Sequence, residues 1–256
     1  MTATRSDKGA DYNIDRLMLS ACALLIIAFV SSVSGGEAGP DLATRHRLLA
    51  FEDAISREPE NLKLAADYRQ LVIASSEFDR ATRLFERLVK QKGSGPNVYI
   101  SLALAYVDKV PVSSRIRHVY LGRDAMSALT RAIERQPTAL AFYVRGLINL
   151  FYNNFMFHRA PQGISDLQQA LLLTRNDSPP VLVERILVAL GDGYWRAENP
   201  AKARETWTTA SARFPESEPL KARLSGNQDQ VAFAVRHALD EDIRVDTTLV
   251  NMLAEP

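Results

Sequence analysis

LVALGDGYWRAENPAKARETWTTASARFP, residues 187–215, reads as two helices folded back on each other. Leu187, Leu190, Gly191 and Tyr194 mark the first helix, and Ala203, Trp207 and Ala210 the second. Gly191 and Ala203 are small residues at the spacing where the two helices of a hairpin touch most closely. Tyr194 and Trp207 supply the bulk that fills the core around that contact. Glu198, Asn199 and Pro200 make the turn, and Pro200 opens the second helix, where its missing N–H costs nothing. Pro215 ends it.

The same order of residues returns on the N-terminal side. One copy follows Pro59, with Tyr68 and Val72 on its first helix, Phe78 near the turn, and Ala81, Phe85 and Leu88 on its second. Before it, Phe51, Ala54, Ile55 and Pro59 read as the second helix of a preceding hairpin whose partner would fall in the N-terminal leader. A further copy pairs Tyr99, Leu102, Ala103 and Tyr106 with Ala125, Leu129, Ala132 and Pro137. It carries roughly ten residues beyond a period of about 34, over residues 110–122. The next uses Phe142, Gly146, Gly163, Leu167 and Ala170, with about five extra residues around 153–161.

This recurrence resembles the tetratricopeptide-repeat (TPR) family over roughly residues 43–224, with degenerate repeats and insertions. It departs from the family pattern in lacking Trp at the leading position and Gly in three of the turns. The resemblance implies an all-α fold of stacked antiparallel helical hairpins, whose concave face is lined by the first helix of each hairpin. The register of that face in the family places Gln70, Ile73, Leu104, Val107, Tyr143, Leu147, Asp192 and Trp195 on it. These residues are mostly apolar or aromatic, and the basic and asparagine pattern with which some family members clamp a terminal carboxylate is absent. A helix or an extended apolar segment of a partner protein suits such a surface. The alternative is that an insertion or the C-terminal helix fills the groove from within.

Composition narrows the remaining classes. With 46% hydrophobic and 24% charged residues the chain is not wholly disordered, and a net charge of +1 gives no field to attract nucleic acid. Cys22 is the single cysteine, so no intramolecular disulfide and no cysteine-based metal site can form. It lies in LMLSACALLIIAFVSSV, residues 17–33, an uncharged run at the short edge of what crosses a bilayer. Transmembrane anchor and cleaved signal both fit this run, whereas a buried helix would show an amphipathic face. Leu19, Ser20, Ala21 and Cys22 resemble a lipobox, although most of the apolar core follows the cysteine. Arg5, Lys8 and Arg16 precede the run and orient the N-terminus to the cytoplasm and the body outside it, in the periplasm if the chain is bacterial. The expected divisions are a leader (1–16), a membrane or signal segment (17–34), a linker (35–42), TPR-like repeats (43–226) and C-terminal capping helices (227–256).

No constellation for catalysis is present, and neither a cofactor nor a metal site is expected. The histidines at 46, 118, 158 and 237 never pair at the i, i+4 spacing of a helical metal site, and no phosphate loop or Gly-x-Ser-x-Gly elbow occurs. The insertions carry the other candidates. Arg115, Arg117 and His118 read as a docking patch for an acidic partner or phospholipid head groups, or as an ordinary solvated loop. Phe155 and Phe157 belong to an aromatic stretch that either folds over the core or forms an exposed interface. The expected function is a membrane-anchored or exported scaffold that binds proteins through the groove and inserted loops. The alternative is similar to periplasmic repeat proteins of transport systems, contacting a small ligand as well as a binding protein.

Overall fold

The computed structural model describes residues 40–153, 158–240, 247–249 and 251–253. Two compact units, Met1–Leu42 and Ala43–Pro256, divide the chain. The expected leader and the apolar run 17–33 lie outside the described residues, as do Phe155 and Phe157. Among the described helices none is long and apolar enough to cross a membrane.

Unit Ala43–Pro256 is helical throughout its described part, in agreement with the expected all-α class. Its helices are α1 (Leu42–Arg57), α2 (Leu62–Ala74), α3 (Phe78–Leu88), α4 (Pro96–Lys109), α5 (Arg115–Arg135) and α6 (Ala139–Phe151). They continue as α7 (Ala160–Leu172), α8 (Pro180–Arg196), α9 (Pro200–Arg213), α10 (Glu218–Ser225) and α11 (Gln228–Asp240). Consecutive helices pack on one another from α2 to α11, so the hairpins α2–α3, α4–α5, α6–α7 and α8–α9 stack in chain order.

Local chemistry sets the helix starts. Asn61, Thr138, Asn199 and Ser217 each accept a backbone N–H three residues on, satisfying one of the donors a helix N-terminus leaves open. Proline occupies the first turn of α4, α7, α8, α9 and α10, where its fixed φ suits the helix. Ser76 and Glu198, at equivalent turns before α3 and α9, take left-handed φ values of 57° and 58° without glycine.

The crossings explain the small residues. A Cβ on Gly191 would overlap the Trp207 indole, whose Nε1 donates to the Val188 carbonyl at 3.3 Å. In α6–α7 the two glycines face each other: a Cβ on Gly146 would lie 2.8 Å from Leu167, and one on Gly163 2.8 Å from Leu150. At both hairpins a side chain is absent because another helix fills its place.

The first insertion is largely helix. Val110–Val112 forms one 3₁₀ turn, and α5 then runs for 21 residues, against 11 in α3 and 14 in α9. The C-terminal segment, read from sequence as an end cap, turns inward. Helix α11 buries Val231, Val235 and Leu239 and packs against α6 as well as α10. The apolar positions of α6 explain this, since α11 removes part of its own apolar stripe from water by packing on them.

Candidate partner-binding face

The first helices α2, α4, α6, α8 and α10 supply the face on which the sequence placed the groove. Its predicted residues divide in two. Gln70 is exposed and Ile73, Val107 and Trp195 are half-buried, while Leu104, Tyr143, Leu147 and Asp192 are buried. Tyr143, Leu147 and Asp192 line a cavity of about 640 Å³, together with Val188 and Ala189 of α8 and Phe233, Ala234 and His237 of α11. The C-terminal helix is thus one wall of this part of the groove.

Nearer the N-terminal repeats, the chain end itself takes up the face. Arg69 of α2 donates to Asp108 of α4 across 2.7 Å, and both side chains are almost completely buried, at 2% and 4% exposure. Arg69 Nη2 also donates to the Thr247 carbonyl at 2.5 Å, and the Thr247 hydroxyl donates to Asp108 Oδ1 at 3.3 Å. Leu249 and Met252, two and five residues further on, are buried as members of the hydrophobic core. A second buried pair joins α8 to α10, where Arg223 Nε and Nη2 donate to the two oxygens of Asp192 at 2.5 and 2.6 Å. Burial pushes the Asp192 carboxyl above its ordinary range, and the Arg223 charge opposes that shift.

Stacked hairpins with one continuous face of first helices have a counterpart among solved structures. A thermophilic TPR protein of Thermus thermophilus matches with a TM-score of 0.52 at 20% identity, over 82% of this chain and 94% of that one. The fold is a TPR fold. No family model matches the sequence, and no curated protein does.

In TPR terms the groove assignment from sequence included Asp192 but not its partner Arg223, nor the pair Arg69 and Asp108. Arg69 and Asp108 each lie one position from a residue assigned to the groove, Gln70 and Val107. A signal existed: Asp108 is a lone carboxylate after the uncharged run 98–107, and a charge ending such a run needs a partner. Thr247 carried no comparable signal. Arg223 was missed because its partner Asp192 lies 31 residues away.

The residue just before the second insertion reaches the first. Tyr152, at the end of α6, donates to the His118 carbonyl at 2.7 Å, and its ring fills the space over Gly122. His118 Nε2 lies 2.8 Å from the Ser113 carbonyl, which folds the 3₁₀ turn onto the start of α5. Arg115 and Arg117 are exposed there, beside exposed Val112, Ile116, Val119 and Tyr120. Residues 109–123 contain Lys109, Arg115, Arg117 and Arg123 and no carboxylate. Two of these cations are paired, Lys109 with Asp79 and Arg123 with Asp124. The Lys109 contact holds the Asp79 carboxyl below its usual range. Among the described residues no group of His, Cys, Asp and Glu could hold a metal ion.

Proposed function

We propose that this chain is a protein-binding scaffold that receives partner proteins on the first-helix face of its TPR unit and on the inserted start of α5. One observation carries the reading: Arg69 of α2 and Asp108 of α4 already hold Thr247 of a short polypeptide segment whose Leu249 and Met252 are buried. A surface that binds peptide in cis has the donors, acceptors and apolar area to bind it in trans. The basic, apolar surface of 109–123 is suited to an acidic partner. The uncharged run 17–33 supports membrane anchorage or export, with the TPR unit extracytoplasmic.

Photo-crosslinking residues placed at Gln70 and at Ile116, with Thr208 of α9 as the control position, test this in membranes of the source cell. The expected outcome is one or more discrete protein adducts from the first two positions and none from Thr208. Equal labelling from all three positions, or none from Gln70 and Ile116, sinks the scaffold reading. Resistance of the chain to alkaline extraction, with N-terminal sequencing, separates an anchor from a cleaved signal.

A second reading has one observation of its own. The cavity of about 640 Å³ is within the size range of small-ligand sites, and Tyr143 lines it. Two further aromatic residues of the first helices, Phe151 and Trp195, are not among its lining residues. The scaffold is therefore preferred.

A further inference from the structure

We propose that residues 247–249 and 251–253 are an intramolecular ligand of the TPR face, and that the partners of this face are short segments presenting the same three features in their place. Those features are a Thr or Ser, an apolar residue two positions later and another five positions later. The inference rests on the scaffold reading and specifies what the scaffold recognises.

Each feature corresponds to a hydrogen-bonded or buried group of the resident segment. Thr247 is read twice, its carbonyl by Arg69 Nη2 at 2.5 Å and its hydroxyl by Asp108 Oδ1 at 3.3 Å. Leu249 and Met252 are both 3% exposed and belong to the hydrophobic core. Because Arg69 and Asp108 neutralise each other at 2.7 Å, the site asks for hydrogen bonds and apolar area, not net charge. The resident segment TTLVNML is itself uncharged. It draws on two successive repeats, since Arg69 is on α2 and Asp108 on α4, so only a correctly stacked pair of hairpins can read it.

The resident is also an imperfect ligand, which makes it displaceable. Among the described residues the buried Arg69 Nε has no hydrogen-bond partner, so one donor of the site is left unused there. Leu249 is held at φ 59°, in the left-handed region that a branched side chain resists. A partner segment with the same three features, one more acceptor for Nε and relaxed backbone outcompetes it. Partner capture and tail release are then one exchange equilibrium.

The test uses the full chain and a fluorescent peptide of residues 246–256, DTTLVNMLAEP, read by anisotropy. A full-length variant carrying Leu249→Asp and Met252→Asp is expected to bind the peptide about tenfold or more tightly than the wild type. The gain is lost when the peptide carries Thr247→Val or the variant also carries Arg69→Gln. Raising salt from about 0.1 to 1 M, which shortens screening from about 10 to 3 Å, leaves the affinity nearly unchanged. Equal affinity for both chains, or a gain that survives Arg69→Gln, overturns the proposal. If the double variant lacks the helical circular-dichroism signal, Thr247→Val in the full chain replaces it, with a severalfold gain expected and no gain overturning the idea. Dimerisation of the wild type that these substitutions abolish assigns the tail to a second copy and likewise overturns it. Crosslinks from Gln70 that persist despite a failed peptide result leave the scaffold standing, so the two readings fail separately.

Discussion

At Gly191 one hydrogen atom decides how closely α8 and α9 approach, because the Trp207 indole occupies the space of a Cβ. Gly191→Ala is expected to cost about 1–3 kcal/mol of stability, the usual penalty for overpacking, read as a lower urea midpoint. Trp207→Phe in the same chain should couple with it, so that the double change costs less than the sum of the two. An unchanged midpoint for Gly191→Ala would falsify the close crossing. The tyrosines make a second prediction at this scale. Tyr68, Tyr106 and Tyr152 are each raised above the ordinary 10.0, first by burial, with Glu52 and Glu86 adding to the first two. The folded state therefore keeps protons that the unfolded chain releases, so the tyrosine contribution to stability is level below pH 10 and falls as pH rises beyond it. In absorbance at 295 nm, three of the eight tyrosines should ionise only late or with unfolding. Uniform ionisation of all eight near the ordinary value would contradict this.

Helix α5 differs from the other second helices by its extra N-terminal turns, and those turns are held by a contact from a different hairpin. Tyr152→Phe removes the bond to the His118 carbonyl while keeping the ring over Gly122. A loss of about 1 kcal/mol is expected, with faster tryptic cleavage at Arg115 and Arg117 and no change elsewhere. Cleavage there at the wild-type rate would show that Tyr152 does not brace the insertion. Both insertions were visible in the sequence as excess over the repeat period, because periodicity is a local property that counting detects. That the first is mostly helix, and that Tyr152 just before the second holds it, was not visible. The contact joins residues 34 apart and depends on how α5 and α6 pack, which no periodic pattern encodes.

Over the whole TPR unit, the chain end returns from α11 to the hairpins where the repeats begin. Asp108→Asn tests how strongly this return is held. It leaves the Arg69 cation buried without its carboxylate and should cost about 3–5 kcal/mol. Amide exchange in residues 247–253 should rise more than in α8 and α9. Exchange that rises equally in both regions would mean that the substitution weakens the repeats generally and does not release the tail. The hairpin of residues 187–215, its turn at Pro200 and the identity of the first helices were all legible by themselves. They follow from residue size, capping and period, each fixed within a few dozen neighbours. Which side chains of the face remain available was decided only by tertiary structure. The Arg69–Thr247 contact closes a loop of 178 residues, and the free energy that holds it comes from burying apolar and polar groups that no local stretch contains together.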